Sequence, residues 1–381
     1  MPQPHDDGGS TKGHQSIYTI HVTTADREAH LIKGDEASGS SHTGEHIKKI
    51  LLEVIRQIGP ERFCAIGSDS TGNTKWAREG AADEIKTLLI VPDPCHHLSN
   101  TIKDITRLSY FIDVISKKRE TITYFSQSTY SATHLNALRV ILSVNHGLEK
   151  IGKTRFGTLY WAGYALLPNL PLISDLITTG DKAKLAWFKQ LRVYQNFELE
   201  LKQLVTILEP IARAIKCLEG LEVTVGDVWK FYVAITAVIR DLFDEDVLSF
   251  PQSLKDEVCA IVNRRFEEMI DGPSGDIYLA GFYLDPGKIY SGQFLCMLIQ
   301  FQNTSKARCC SKPQPINSAQ RHRLGHHLLD LLAPVQPIRI SGIQCPHTER
   351  LALFLSRSSR RSCRLAGRPQ SSSITNPETR Y

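Results

Sequence analysis

The chain has no apolar run approaching the roughly 20 residues that span a bilayer, so no stretch of it reads as membrane-embedded. Its first residues, Met1–Pro–Gln–Pro–His–Asp–Asp, have neither a basic flank nor an apolar centre, which argues against a secretion signal. The nine cysteines share no repeating spacing, so they read as reduced thiols inside a cell and not as a disulfide framework. Acids thin out towards the C-terminus, where only Asp330, Glu349 and Glu378 lie beyond Asp285. What remains is an ordinary globular composition, 41% hydrophobic and 22% charged. Its 381 residues are enough for roughly two or three domains.

The formal net charge of +5 conceals an asymmetry. From Pro286 to Tyr381 there are 14 Lys or Arg against 3 acids, while the preceding part has 31 basic against 37 acidic residues. The two parts are different kinds of sequence. The basic part carries Arg357–Ser–Ser–Arg360–Arg361 and Ser371–Ser372–Ser373, and only Leu324 to Leu332 has a short helical look. Such a tail is read as disordered, with salt-dependent phosphate contacts as its functional alternative. The abrupt change in composition also fits translation through an intron or a shifted frame.

Residues 1–13 are polar and rich in Gly, Pro and His, so the chain is expected to begin disordered. Ser16 to Thr23 alternates and is rich in β-branched residues, and Ala29 to Gly34 returns as the second arm of a hairpin. Thr43 is placed to cap a helix in which Ile47, Ile50, Leu51, Val54, Ile55 and Ile58 recur at helical spacing, and Gly59–Pro60 stops it. The apolar run Arg62 to Gly67 then predicts a strand ending on Ser68–Asp69–Ser70–Thr71–Gly72–Asn73. A helix follows from Thr74 to about Lys86, then a buried strand over Leu88–Val91 closed by Pro92–Asp93–Pro94. Strand, acidic loop, helix, strand is the grammar of an α/β layer, in which functional residues sit where strands end. Asp69 is in that place, although Asp–Ser–Thr–Gly is also turn chemistry that could simply cap the helix.

Beyond Asn100 the pattern is helical to about Ile270. Leu201, Leu204, Val205, Leu208, Ile211, Ala212 and Ile215 form one stripe, with Pro210 predicting a kink or break. Trp229, Tyr232, Val233, Thr236, Ile239 and Phe243 form another, and Ser253–Leu–Lys–Asp256 reads as a capping box ahead of Val258, Ile261, Val262, Phe266 and Met269. These stripes are read as core. Cys95–His96–His97 invites a zinc assignment, but adjacent ligands lack the spacing of zinc sites. Cys95 is instead expected to be a small buried hydrophobe, with one histidine near the acidic site. Cys309–Cys310, His322, His326–His327 and Cys345–Pro346–His347 likewise fit no zinc module.

Taken together, the hairpin, Ser41–His42–Thr43–Gly44, the strand with Ser68–Asp69–Ser70, and Cys95–His96–His97–Leu98–Ser99–Asn100–Thr101–Ile102–Lys103–Asp104–Ile105 resemble the hAT superfamily of DNA transposases. The similarity is greatest to fungal hAT-like proteins with a ribonuclease H-like fold. Lys153–Thr154–Arg155–Phe156–Gly157–Thr158 is similar to the Thr–Arg–aromatic segment of the family's helical insertion. Tyr278–Leu279–Ala280–Gly281–Phe282–Tyr283–Leu284–Asp285–Pro286 is similar to its Ala–x–x–Leu–Asp–Pro element. The resemblance spans Asp7 to Lys288.

It implies an α/β fold: an incomplete ribonuclease H-like mixed sheet over residues 14–105, a large all-α insertion domain over 106–275, a return element over 276–290, and a poorly ordered basic tail over 291–381. It also implies three carboxylates holding Mg²⁺ or Mn²⁺ ions that activate water or a DNA 3′-hydroxyl against a phosphodiester. Carried over, Asp69 is the second acid. Asp7, in Asp7–Gly8–Gly9–Ser10–Thr11, is the first, although Gly9 replaces the family's tryptophan and no apolar strand precedes it. No residue past Asp285 stands in the context of the third acid, and the family's zinc-finger and dimerisation segments are not recognisable, which leaves homo-oligomerisation without its usual segment. The expectation is therefore a shortened, catalytically inactive transposase relative in the nucleus, with DNA as its partner and no bound metal. The alternative is an active metal-dependent DNA transposase or nuclease.

Overall fold

A computed structural model describes residues 17–25, 27–36, 43–152, 157–179, 185–220, 223–285 and 351–357, the last of these as backbone only. Strands β1 (Ile17–Thr23) and β2 (Ala29–Glu36) form the expected antiparallel hairpin, with a register shift between Ile20 and His21. Helix α1 (Gly44–Ile58) begins where Thr43 Oγ1 accepts the His46 N–H at 3.3 Å. It ends at Gly59, whose φ of 116° lies in the region that favours glycine. Strand β3 (Phe63–Ser68), helix α2 (Gly72–Glu84), strand β4 (Leu89–Pro92) and helix α3 (Pro94–Ile105) follow. Helix α3 starts earlier than the sequence suggests. Asp93 caps it and Pro94 fits its first turn, where a missing N–H costs nothing, so Cys95, His96 and His97 stand on a helix.

The remaining helices are α4 (Ser109–Gln127), α5 (Thr129–Ile141), α6 (Gly157–Leu166), α7 (Leu170–Thr179), α8 (Leu191–Leu218), α9 (Val225–Glu245), α10 (Gln252–Met269) and α11 (Gly275–Tyr283). Two sequence expectations are corrected among them. Pro210 does not break α8, which runs through it, because a face of Leu201, Leu204, Leu208 and Ile211 is fully buried on both sides of the proline. Ser253 is not an N-cap: α10 begins one residue before it, after Pro251, and Asp256 accepts from the Gln252 side chain at 2.8 Å. The reciprocal cap lies elsewhere, where Asp227 accepts both the Thr224 N–H and hydroxyl at 2.9 Å ahead of α9.

Strand β5 (Leu351–Arg357) completes one five-stranded sheet of order β2-β1-β5-β3-β4. It runs antiparallel to β1 and parallel to β3, which is itself parallel to β4. This central strand comes from the stretch read as a disordered tail, and it corrects that reading for these seven residues. Leu–Ala–Leu–Phe–Leu is an apolar run of strand length, and the slot between β1 and β3 pairs its backbone on both edges. The fold is thus mostly helical with one small mixed sheet, an α/β arrangement in the broad sense.

Two cores hold it together. Tyr18, Ile20, Val22, Phe63, Ile66 and Leu88 of the sheet region pack against α1 and α2. On the other side Val91 and Ala65 join the helical core, in which α3 contributes Leu98, Ile102 and Ile105. Helix α3 therefore follows the sheet in sequence but is buried in the helical part. Among the described residues no helix is long and apolar enough to cross a membrane.

Candidate functional site

The site lies where β3 and β4 end and α2 and α3 begin. Parallel pairing of β3 with β4 sets Ser68 against Pro92, so the residues that follow, Asp69 and Asp93, leave the sheet at the same end. The Asp93 N–H donates to the Ser68 carbonyl at 3.0 Å and ties the two strand ends together. Each acid precedes a helix and serves its N-terminus. Asp69 Oδ1 accepts from the Thr71 N–H at 3.4 Å and the Thr71 hydroxyl at 3.2 Å, and it contacts the Thr74 hydroxyl. Asp93 Oδ1 accepts from the Cys95 N–H at 2.8 Å. Burial raises the Asp93 pKa, opposed by the N–H groups of Cys95 and His96.

Beneath both acids lies Arg78 of α2, which is 2% exposed. Its Nη1 donates to the Ser68 carbonyl at 2.8 Å and the Asp69 carbonyl at 3.0 Å, and also meets Ser68 Oγ. Burial lowers the Arg78 pKa, while the charges of Glu79, Asp69 and Asp93 support the cation. Among the described residues Nε has no hydrogen-bond partner. Helix α11, from beyond the long helical segment, closes the site: the Tyr278 hydroxyl donates to the Pro92 carbonyl at 2.8 Å, and burial raises its pKa.

The Cys–His–His cluster does not act as one unit. Burial raises the Cys95 thiol to about 12, so it is an inert, half-buried group packed against the helical core, as its sequence reading has it. His96 meets the acid through its backbone N–H. His97 points the other way. Its Nδ1 is 2.8 Å from the Tyr232 hydroxyl and its Nε2 is 3.1 Å from Glu268 Oε2. Burial, reinforced by the Arg265 cation, lowers its pKa to about 4. A neutral ring that accepts from Tyr232 and donates to Glu268 satisfies both contacts. Arg265 Nη1 holds Glu268 at 2.8 Å, and Arg265 Nη2 and Arg264 Nη2 hold Asp104 at 2.6 and 2.7 Å. This network clamps α3 to α9 and α10. It is a structural interface and not a second set of ligands.

Of the two site residues expected from sequence, Asp69 is at its strand end, while Asp7 lies outside the described residues, as do Asp330, Glu349, Glu378 and the Cys and His residues of the tail. Among the described residues no group of three or more His, Cys, Asp or Glu gathers to hold an ion. Among the described residues two carboxylates, Asp69 and Asp93, stand at this end of the sheet, Asp69 Oδ1 is already engaged, and a cation is buried beside them. These two described acids alone do not make up the donor set of a pair of divalent ions. Sequence reading missed Arg78, Asp93 as a second acid, and the Tyr278 hydroxyl. Only Asp93 had a signal, in Asp–Pro at a helix start.

The chain matches no known protein family, curated protein or solved structure. Its function therefore rests on the residues and their arrangement.

Proposed function

We propose that the chain is a hAT-type transposase-derived protein that binds DNA without cutting it, and that it works in the nucleus. The observation that carries this reading is the arrangement around Asp69. An acid ends β3, the Cys–His–His element opens the helix after β4, a long helical segment intervenes, and α11 returns through Tyr278 to the Pro92 carbonyl. This is the order the resemblance implies for an α/β part, a helical insertion and a return element. The finer assignment, a ribonuclease H-like sheet, is part of the proposal and is supported by the parallel β3–β4 pair with its acid at the strand end.

Support for a loss of cutting comes from the same place. Strand β5 occupies the centre of the sheet, and its sequence Leu–Ala–Leu–Phe–Leu–Ser–Arg contains no carboxylate. Catalytic acids need rigid placement, which a sheet centre supplies. The 14 basic residues against 3 acids from Pro286 onward supply the chemistry for phosphate contacts.

Fluorescence anisotropy of the full chain on a labelled DNA duplex, with plasmid nicking run in parallel, tests the reading. The expected result is binding that weakens at least ~10-fold from 50 to 200 mM salt, is indifferent to a chelator, and leaves the plasmid intact. Absence of binding at low salt would refute the DNA partner. Nicking that needs Mg²⁺ or Mn²⁺ and disappears in Asp69→Asn would replace the reading with the active nuclease.

A further inference from the structure

We infer that Arg78 is a built-in counter-cation, filling at the Asp69–Asp93 end of the sheet the electrostatic place that a divalent ion would otherwise take. The inference deepens the non-cutting reading of this site and rests on it for the comparison with a metal centre, but the geometry stands by itself. Arg78 Nη1 is surrounded by oxygens as a hard cation would be: the carbonyls of Ser68 and Asp69 and the Ser68 hydroxyl. The guanidinium is buried and remains charged at any ordinary pH. Asp69 and Asp93 both act favourably on that charge. Glu79 does so as well, but from an exposed position where water and salt screen it.

Asp69 leads into α2, and Asp93 caps α3. Each helix N-terminus presents roughly half a positive charge. The two carboxylates thus share their end of the sheet with one guanidinium and two helix ends, all of positive sign. An unfilled metal site behaves in the opposite way: its acids repel one another until the ion arrives.

That contrast gives a test whose sign decides. Asn keeps the shape of Asp, accepts the same N–H and hydroxyl groups through Oδ1, and is an equally good N-cap. Asp69→Asn and Asp93→Asn in the full chain therefore change the charge and little else. If Arg78 is balanced by these acids, each variant lowers Tm by ~3 °C or more in chelator-treated buffer, the drop shrinks by at least about half when the same substitution is made beside Arg78→Gln, and millimolar MnCl₂ or MgCl₂ leaves the wild-type Tm unchanged. A Tm that rises or stays the same in both variants, or that falls equally with and without the Arg78 charge, would overturn the inference, because relieved repulsion is what a vacant metal site predicts and coupling to the helix ends alone is what an indifferent arginine predicts. So would a metal-dependent rise in wild-type Tm that Asp69→Asn abolishes. Should one Asn variant fail to fold, the other variant and the wild-type metal titration still decide. Plasmid nicking separates the two ideas. Metal-dependent cutting would end the non-cutting reading itself, whereas a raised Tm without cutting would remove only the role of Arg78.

Discussion

The acid end of the sheet and the centre of the helical part each bury a cation, and they treat it in opposite ways. Arg78 is held by three oxygens, with the charges of Asp69 and Asp93 favouring its cation. Lys118 of α4 is 0% exposed, and among the described residues its one hydrogen bond is to the Leu159 carbonyl at 2.8 Å. Val205 and Leu201 flank the same spot: a Cβ on Gly163 would stand 2.8 Å from Val205, 3.5 Å from Leu201 and 3.8 Å from the ammonium. Burial, followed by the nearby Arg119 charge, lowers the Lys118 pKa to about 7. A charge in a hydrogen-bonded cradle holds a structure together, while the same charge in an apolar core opposes its folding.

The largest expected effect tests the first half of that contrast. Arg78→Met leaves the Ser68 and Asp69 carbonyls without their donor and should cost ~3 kcal/mol or more in urea unfolding. A neutral substitution would mean that the cradle does not hold the strand ends. Next comes the clamp between the two parts. Folded His97 has a pKa of about 4, below its ordinary value of 6.5, so the unfolded chain takes up a proton that the folded chain refuses. Stability should therefore fall as pH drops from about 6.5 to 4, by ~2–3 kcal/mol in all. His97→Gln should flatten that limb when denaturant midpoints are compared across the range.

Lys118 gives a limb of the same sign at higher pH. Its folded pKa lies below the ordinary 10.5, so the unfolded chain again binds more protons, and stability should rise between pH 7 and about 10. Lys118→Met should stabilise the protein by ~2 kcal/mol at pH 6.5 and remove the rise, as thermal melts at pH 6.5 and 9 would show. A loss of stability at pH 6.5 would mean that the amine is better compensated than its single carbonyl suggests. The smallest change involves neither cation. Thr43→Ala removes the cap of α1 and should cost ~1 kcal/mol without altering either pH limb, a control on the reading of the other three.

The legible parts of this fold are those decided by neighbours in sequence. Thr43 and Gly59–Pro60 bracket α1 because capping and chain reversal are local events, and Asp69 could be placed at a strand end because β3 is a short apolar run stopped by polar turn residues. The stripe from Leu201 to Ile215 is buried as its spacing implies. Pro210 makes no break, the stronger half of what its sequence suggests, because the tertiary packing that outweighs the local penalty leaves no local mark. Arg78 was invisible for a related reason. It sits one residue after Ala77 on a helix whose apolar face is drawn by alanines, and only the sheet's strand ends turn it into a buried ligand of carbonyls. Strand β5 was hidden by its flanks, since seven residues of strand character were outvoted by the basic, serine-rich stretch around them.

The position of β5 in the chain sets a timetable for synthesis. Its neighbours β1 and β3 are made within the first 68 residues, yet the strand that joins them begins at Leu351. At ~5–20 residues per second, a ribosome needs on the order of 15–60 s to cover that interval. Throughout it the nascent chain carries two facing strand edges with no partner between them, each a template for whatever extended segment arrives first. A strand translated long after β1 and β3 is thus what joins them into one sheet, and a chain cut short between Ser68 and Leu351 leaves that slot open.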